Sequence, residues 1–412
     1  MGIFFTFTVW FSTDGGGRLP RHDRSPYFPA GRNGRKQTVE RRPAMRESKM
    51  KVLLVGDYPP PTGGIAVHVQ QLQRFLLNAG VRCKVLDIGE GGVPAPGVLA
   101  ARSRIRYAWR LLQFAARGWQ IHLHVGGDNP TSWWVVASAV AAGRLFRRPA
   151  LVTLHSGLVP RYLAQSPGRR WFARALLAQC SRVIAVSEEV GKALREADLP
   201  APLIAVHPAF LGSQLQPGLP PKNFATVRAS CRPLLAMADH PSSIYGRRDA
   251  FRALRRLARD LPDIGLAMFG PGHRLEGVES DALAEGVRAR VHDFGELDHS
   301  STLGLISRCD AFLRPTTADG DSLSVREALS LGTRCVASDV SVRPPGTVLF
   351  RATDYEDLAE KIAHALREPS PLAGTVDVGP ALLEEYRRAW GLRRLGLSGG
   401  GAVSETLELG PH

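Results

Sequence analysis

The feature that most constrains the fold is a regular alternation of apolar runs with helical patterns, which begins at residue 50. The first apolar run reads MKVLLVG, and a later one reads RVIAVS (residues 182–187). Between such runs lie stretches like IAVHVQQLQRFLLNAG (residues 65–80), in which apolar residues recur at helical spacing before a terminal glycine. Continuous apolar strands that alternate with helices are typical of a parallel sheet covered on both faces. The pattern therefore predicts an α/β fold.

The alternation is interrupted once, which predicts two domains. Residues 209–232 are rich in Pro, Gly and Ser, and we interpret them as a linker. The alternation resumes with PLLAMAD, so we expect two Rossmann-like domains, residues 49–208 and 233–370, that face a cleft. Residues 371–412 are predicted to form a C-terminal helix and a loose tail. Ligands of open parallel sheets bind beyond the carboxyl ends of the strands, so the loops at those ends are expected to carry the chemistry.

Residues 1–48 differ from the rest of the chain. After an apolar start they are polar, rich in Gly, Pro and Arg, and without periodicity, so we expect a disordered extension. The explanation that we favour is that the natural protein begins at Met45 or Met50, directly before the first strand pattern. The five cysteines are scattered without metal-ligand or redox spacing, which is typical of buried thiols in a reducing compartment.

The positive charge is concentrated in the first half of the chain. The formal net charge is +15, and it lies in the first 215 residues, whereas residues 216–412 are close to neutral. Residues 102–119 mix arginines with Trp, Leu and Phe, a composition that can lie on an anionic membrane or form the solvated face of a Rossmann helix. We expect a cytoplasmic protein that could dock at the inner face of the plasma membrane. The high pI also suggests a nucleic-acid-binding protein, but no reading motif accompanies the charge, so no nucleic-acid partner is predicted.

The most distinctive loop reads RPTTADGDSLSVREALSLG (residues 314–332) and joins an apolar strand pattern to a helix pattern. A helix start presents unpaired backbone N–H groups that attract a phosphate, and Gly320 lets a ligand approach the backbone. Glu327, inside the helix, is placed to bind the hydroxyls of a ribose, and Asp319 those of a sugar. The alternative is structural, because Ser324 and Glu327 fit a capping box and the aspartates fit ordinary turn acids.

Two loops of the first domain add candidates. Gly63 and Gly64 separate the first strand from the first helix. They lack the dinucleotide fingerprint, but they let backbone N–H groups meet a phosphate from across the cleft, and a plain turn is the alternative. His155 ends the strand pattern ALVTLHSG, where its imidazole could contact a transferred sugar or stabilise developing charge. A structural role is the alternative for His155, and we favour that role for His122.

In their order and spacing, the Gly63–Gly64 pair, His155 and the acids Asp319 and Glu327 resemble family-4 glycosyltransferases of the GT-B fold. That family carries an E-x7-E motif, and this chain has Asp319 and Glu327 at the two motif positions. The resemblance covers about residues 50–370. It implies transfer of a sugar from a nucleotide-sugar donor with retention of configuration and without a metal or other cofactor. It also implies that no protein nucleophile is required, because the leaving diphosphate oxygen can deprotonate the acceptor.

The resemblance also implies roles for individual residues. Glu327 would bind the ribose, and His155 and Asp319 would act at the transferred sugar. The diphosphate would lie at the helix start, which is formed by Gly320, Asp321, Ser322, Leu323 and Ser324.

The chain departs from the family in two places. Its first motif acid is Asp319 rather than Glu, one methylene shorter. In the loop MADHPSSIYGRR, after the first strand of the second domain, the Arg and Lys that usually bind the diphosphate are missing from their usual place, residues 238–245. A diphosphate without cations in a dry cleft would cost several kcal/mol. Arg314 and Arg247 are the candidate replacements, with His240 as a weaker one, and we favour Arg314 because it ends a strand beside Asp319.

The predicted function is transfer of a sugar from a nucleotide-sugar donor to a glycan or lipid-linked acceptor, in the synthesis of a cell-surface polysaccharide. One alternative keeps the fold and changes the reaction to nucleotide-sugar epimerisation or phosphorolysis. A phosphorylase would need a cofactor lysine, and lysine is scarce in this chain. Another alternative is a non-catalytic sugar-nucleotide-binding protein, which the missing Arg and Lys support.

Overall fold

The computed structural model describes residues 50–89, 95–272, 275–369 and 377–390. The predicted disordered extension and the predicted loose tail lie outside these ranges. Within them the chain forms two parallel β-sheets, each covered by helices. This confirms the predicted fold class of two Rossmann-like α/β domains.

The first sheet has seven parallel strands in the order β3-β2-β1-β4-β5-β6-β7. Its strands are β1 Lys51–Gly56, β2 Arg82–Asp87, β3 Val98–Ala100, β4 Gln120–Val125, β5 Leu151–Leu154, β6 Arg182–Ala185 and β7 Ile204–Val206. The helices between them are α1 Gly64–Asn78, α2 Arg104–Ala116, α3 Pro130–Leu145, α4 Val159–Ala164, α5 Pro167–Leu177 and α6 Glu188–Glu196.

Both faces of the first sheet are buried, as β1 illustrates. Leu53 and Val55 belong to one apolar cluster, together with residues of α2, α3 and α6. Val52 and Leu54 point the opposite way into a second cluster that includes Leu72 of α1. Because successive strand residues point to opposite faces, a strand covered on both sides must be apolar throughout. This is why the continuous apolar runs predicted the sheet correctly.

The second sheet has six parallel strands in the order β10-β9-β8-β11-β12-β13. Its strands are β8 Leu234–Ala238, β9 Gly265–Phe269, β10 Val291–Asp293, β11 Ala311–Arg314, β12 Arg334–Ser338 and β13 Thr347–Phe350. Helix α7 Phe224–Ser230 precedes it, and the other helices of this domain are α8 Arg247–Leu257, α9 Val278–Ala284, α10 His299–Ile306, α11 Leu323–Ser330 and α12 Tyr355–Arg367.

Two segments outside the alternating pattern pack against the domains. Helix α7 lies within the predicted linker, and its Phe224 is buried in the same cluster as Phe312 of the second sheet. The last described helix, α13 (Gly379–Trp390), packs on the first domain, where Leu382 and Tyr386 join the cluster that contains Val52. The C-terminal part of the chain therefore helps to complete the core of the N-terminal domain.

Two further findings bear on the expectations from composition. All five cysteines are buried and free, as their scattered spacing predicted. None of the helices in the described ranges combines the length and the apolar character that a bilayer-spanning helix requires.

Candidate functional site

The loop between β11 and α11 begins the candidate site. Helix α11 starts at Leu323, and Ser322 is its N-cap residue. The Ser322 side chain makes no capping hydrogen bond to the helix backbone. Its hydroxyl lies 3.2 Å from Ser324 Oγ instead. The first turn of α11 therefore starts without a side-chain cap, as expected for a helix start that accepts an anion.

Glu327 is nearly fully buried inside α11, and its partner is His299 at the start of α10. Glu327 Oε1 lies 2.6 Å from His299 Nε2. The capping-box interpretation is wrong, because the helix begins two residues earlier than a Ser324 cap requires and Glu327 bonds to His299. No local sequence pattern indicates this pair, since the two residues are 28 positions apart and belong to different helices.

Asp319 lies at the centre of a buried ion cluster. Its carboxylate accepts hydrogen bonds from Arg314 Nε at 3.0 Å and Arg314 Nη2 at 3.1 Å. A third bond comes from Arg343 Nη1 at 2.7 Å. Burial opposes ionisation of Asp319, but the two guanidinium groups outweigh it and hold the pKa of this carboxyl below its ordinary value. Asp319 is therefore ionised at neutral pH.

Arg343 is a functional candidate that the sequence analysis missed. Its side chain is only 1% exposed, and it also donates to the Ser338 carbonyl and lies 3.3 Å from Thr316 Oγ1. It follows β12, 24 residues after Asp319, so only the fold brings the two together. An arginine in the loop after a neighbouring strand is the signal that could have indicated it.

Arg314, the favoured replacement for the missing cation, lies beside the loop that lacks it. Its guanidinium lies 5.1 Å from the ring centre of Tyr245, a residue of the loop that lacks the usual Arg and Lys. Arg247, the other candidate, is bonded to Asp239 at 3.0 Å and to Asp281 at 3.0 Å. Arg247 is thus neutralised by two carboxylates, whereas Arg314 shares the single carboxylate of Asp319 with Arg343.

The remaining candidates near α11 have different surroundings. Asp321 is buried and accepts a hydrogen bond from Arg326 Nε at 2.6 Å. Burial is the larger effect on Asp321 and raises the pKa of its carboxyl, although Arg326 works against it. His240 is exposed and stacks on Tyr245 with ring centres 5.4 Å apart. A cavity of about 370 Å³ lies against this loop and the start of α8.

In the first domain, His155 belongs to a cluster of imidazoles. His155 Nε2 lies 3.1 Å from His124 Nδ1, and the ring of His68 lies 5.3 Å from each of the other two rings. Burial, reinforced by the neighbouring imidazoles, holds the pKa of His124 and His155 well below the ordinary value. Burial also lowers the pKa of His68, to about 4. All three rings are therefore neutral at pH 7.

The same cluster is the place in the described chain where a metal could find three ligands. One nitrogen of each ring of His68, His124 and His155 lies within 4.8 Å of the others, and neutral imidazole is a metal ligand. His122 differs from these three histidines, because both of its ring nitrogens have hydroxyl partners. Its Nδ1 lies 2.6 Å from the Tyr386 hydroxyl, and its Nε2 lies 2.8 Å from the Thr153 hydroxyl. These contacts fit the structural role that we favoured for His122.

The loops that carry His155 and Asp319 touch each other across the two domains. A Cβ atom placed on Gly157 would lie 2.2 Å from the carbonyl oxygen of Asp319, and one placed on Gly320 would lie 3.2 Å from the carbonyl oxygen of His155. The structure thus brings the backbones of these two loops into contact. Around Gly63 and Gly64, by contrast, an added Cβ would meet nothing within 4 Å, so a ligand can approach that backbone.

The comparisons with known proteins match each domain separately. A model of the family described as Glycosyltransferase Family 4 matches residues 62–210, and a model of the family described as Glycosyl transferases group 1 matches residues 243–375. The chain is a GT-B glycosyltransferase. Glycogen synthase from Mycobacterium tuberculosis (strain CDC 1551 / Oshkosh) is 25% identical to this glycosyltransferase in an alignment 344 positions long, which covers 71% of this chain and 78% of that protein.

Two solved structures share the fold of this glycosyltransferase. The sucrose-phosphate synthase from Thermosynechococcus elongatus has a TM-score of 0.59 at 18% identity, covering 83% of this chain and 94% of that chain. Anabaena Alr3699/HepE in complex with UDP and glucose has a TM-score of 0.57 at 18% identity, covering 77% of this chain and 90% of that chain. The family-model matches favour glycosyl transfer over epimerisation and over nucleic-acid binding.

Proposed function

We propose that this glycosyltransferase moves a sugar, with retention of configuration, from a nucleotide-sugar donor on its second domain to a glycan or lipid-linked acceptor on its first. The acceptor would belong to the synthesis of a cell-surface polysaccharide. The observation that carries the donor site is the uncapped start of α11 with the buried Glu327–His299 pair one turn further on. This arrangement suits a diphosphate at the helix start and a ribose diol at the carboxylate.

Charge supports a diphosphate at this place. Arg314, Arg343 and Arg326 face the carboxylates of Asp319 and Asp321, so these five side chains carry a net charge of +1. They are largely buried, and a positive charge in a site with little water stabilises the charge that develops on a departing diphosphate. The cluster would thus provide the positive charge that the missing Arg and Lys usually provide for the diphosphate.

The proposed roles of the reacting groups are those that the resemblance implies. We propose that the diphosphate oxygen that leaves the sugar is the base that deprotonates the acceptor hydroxyl. The protein then only has to position the donor and the acceptor, and none of its side chains has to act as a nucleophile. His155 is neutral, and as a neutral imidazole it can donate or accept a hydrogen bond to the transferred sugar. Asp319 is bonded to two arginines and so fixes their orientation. We propose that it also accepts a hydrogen bond from a hydroxyl of the transferred sugar. The proposed reaction uses no metal.

Donor hydrolysis tests the proposed reaction without knowledge of the acceptor. The full chain is incubated with UDP-, GDP-, ADP- and dTDP-glucose, and proton NMR records which anomer of glucose is released first. We expect one donor to be cleaved slowly to the anomer that it carried. Glu327→Gln should lower this rate by about 10-fold or more, as for a lost charged contact, and Glu360→Gln on the exposed face of α12 should not. Release of the opposite anomer would rule out retention.

The role of Arg314 is tested by donor affinity. Arg314→Ala should weaken binding of the nucleotide diphosphate identified in that assay by about 10–100-fold, because a charged contact is lost. Arg256→Ala is the matched control, since Arg256 is half-exposed and pairs with Asp260 at the surface. Calorimetry that gave equal affinity in the Arg314 and Arg256 variants would remove Arg314 from the donor site.

A membrane-bound acceptor is supported by the surface of the first domain. Helices α2, α3 and α5 expose large apolar side chains among many arginines: Ile105, Trp109, Leu145, Trp171 and Phe172. Such a surface can lie on anionic lipid. We expect the protein to sediment with phosphatidylcholine vesicles that contain phosphatidylglycerol, at near-physiological salt, and not with phosphatidylcholine alone. Equal binding to both, or binding to neither, would contradict the membrane part of the proposal.

A further inference from the structure

Histidines from three separate segments of the first domain meet in one cluster. His68 lies on α1, His124 lies on β4, and His155 directly follows β5. The first two are at most 2% exposed, whereas His155 is half-buried. One nitrogen of each ring lies within 4.8 Å of those of the other two. The cluster therefore offers three metal ligands, and it is accessible from the side of His155.

The hydrogen bonds of this cluster are incomplete. His124 Nδ1 and His155 Nε2 lie 3.1 Å apart and share one hydrogen bond. Two buried nitrogens, His68 Nδ1 and His124 Nε2, have no hydrogen-bond partner among the described residues. Buried polar atoms are nearly always hydrogen-bonded, and each exception calls for an explanation. A group that binds imidazole nitrogen would provide one.

The neighbouring His122 shows that this sheet can satisfy a buried imidazole with protein groups alone. The ring centre of His122 lies only 4.0 Å from that of His124. Both nitrogens of His122 have hydroxyl partners, on Tyr386 and Thr153. The missing partners are therefore a property of the three-histidine cluster and not of this part of the sheet in general.

The ring of His68 is held in the form that a metal ligand needs. Burial lowers the pKa of His68 to about 4, and a hydrogen bond between the ring and the backbone of Ala209 acts in the opposite direction. A bond that favours the protonated ring is one in which the ring donates, here to the Ala209 carbonyl. Because Nδ1 is the nitrogen without a described partner, Nε2 is the donor and Nδ1 keeps its lone pair. Metal-bound histidines usually donate their second N–H in this way.

The ligand type and the spacing suit zinc. Neutral imidazole binds zinc well, whereas Mg²⁺ and Ca²⁺ prefer oxygen ligands. Two nitrogens at about 2.0–2.1 Å from a tetrahedral zinc ion lie about 3.3 Å apart, and His124 Nδ1 and His155 Nε2 are already 3.1 Å apart. Since all three ligand nitrogens lie within 4.8 Å, closing the site requires shifts of about 1.5 Å at most. Zinc has no electronic preference for one geometry, so it tolerates an uneven set of ligands.

We propose that His68, His124 and His155 bind one Zn²⁺ ion. Each ring would give one nitrogen to the ion and keep its single proton on the other, so no proton is gained or lost. Water would take the fourth position, on the side of His155. The ion has no part in the proposed transfer and inhibits it instead, because it occupies the imidazole of His155. That inhibitory effect rests on the proposed function, in which His155 contacts the transferred sugar.

Calorimetry of the full chain, after a chelator has removed any metal, tests the site directly. We expect one Zn²⁺ ion per chain to bind at micromolar concentrations. His68→Gln should weaken this binding at least about 10-fold, since even the loss of an outer-shell partner of a metal ligand costs that much. His364→Gln is the matched control, because His364 is exposed on α12. Absence of zinc binding by the parent, or equal binding by the two variants, would overturn the inference.

X-ray absorption spectroscopy of the one-to-one zinc complex is a second test that needs no substitution. We expect three imidazole ligands with zinc–nitrogen distances of about 2.0–2.1 Å. This result stands even if His68→Gln does not fold. A spectrum with fewer than three imidazoles would show that zinc binds elsewhere and would overturn the inference.

Donor hydrolysis tests the inhibitory effect. Zinc should slow hydrolysis by the parent, a chelator should restore it, and His68→Gln should need at least about 10-fold more zinc for the same inhibition. Hydrolysis at an unchanged rate by the zinc-loaded protein would overturn the inhibitory effect.

The outcomes also separate this inference from the proposed function. A protein that binds zinc through three imidazoles but hydrolyses no nucleotide sugar keeps the metal site, and the proposed transfer fails. A protein that hydrolyses a nucleotide sugar but binds no zinc keeps the transfer, and only the metal inference fails.

Discussion

Replacing Asp319 by Asn is the most informative perturbation of the ion cluster. The substitution keeps the shape of the side chain but removes the charge that faces Arg314 and Arg343. Asp319 is 9% exposed and Arg343 only 1%, so water does little to replace the lost partner. Two guanidinium groups would then lie close together with no carboxylate between them.

The magnitude follows from this burial. Breaking a buried ion pair by removing one partner costs about 3–5 kcal/mol, and an amide oxygen at the same place retains part of one hydrogen bond. We therefore expect a loss of about 3 kcal/mol. At about 2–4 °C per kcal/mol for domains of this size, the melting temperature of the unliganded protein should fall by about 6–12 °C.

A ligand should reverse part of this loss. If the cluster binds a diphosphate, the uncompensated arginines of Asp319→Asn will bind it too, and its melting temperature should rise more on addition of nucleotide diphosphate than that of the parent. The assay is thermal denaturation with and without the nucleotide. Asp260→Asn is the control, since Asp260 pairs with Arg256 at the surface. If Asp319→Asn melted like Asp260→Asn, the carboxylate would not be holding the two arginines together.

Two further predictions concern α13 and the contact between the domains. Burial disfavours ionised Glu385, but His207 and Arg182 outweigh it and hold the pKa of Glu385 at about 2. Because this folded-state pKa lies below the ordinary 4.5, the contribution of Glu385 to stability is complete above pH 4.5 and disappears as the pH falls to about 2. In urea denaturation, Glu385→Gln should therefore lower the free energy of unfolding by about 2 kcal/mol at pH 7 and by almost nothing near pH 2. A cost that did not depend on pH would contradict this assignment. Gly157→Ala places a Cβ 2.2 Å from the Asp319 carbonyl oxygen, so the two loops must separate by about 1 Å to reach van der Waals contact. We expect this variant to lose donor hydrolysis while retaining nucleotide binding, and a variant with the activity of the parent would show that the contact is not part of the reacting state.

The sequence predicted what depends on local pattern. The apolar runs identified the central strands of both sheets, since a strand buried on both faces has no polar positions. The edge strands β3 and β13, which are only partly buried, were not predicted. The position of α13 also had no local signal, since its partners Val52 and Leu54 lie more than 300 residues away.

The site was predicted unevenly for the same reason. The loop from Arg314 to Glu327 was recognisable because its acids, glycine and helix start are neighbours in sequence. The partners that set the charge of these acids, Arg343 and His299, follow other strands or begin other helices, and only the fold brings them close. The capping box at Ser324 was wrong because Ser322, two residues earlier, serves equally well as the residue before the helix.

The most direct test of the donor site is the thermal stability of the full chain with UDP, GDP, ADP, CMP and dTDP. A nucleotide at 100 times its dissociation constant adds about 2.7 kcal/mol to the folded state, which is a measurable shift. We expect one nucleotide to raise the melting temperature, Glu327→Ala to abolish the rise, and Glu360→Ala to leave it intact. A rise that survived in Glu327→Ala, or no rise with any nucleotide, would contradict the assignment of a nucleotide-sugar site to α11.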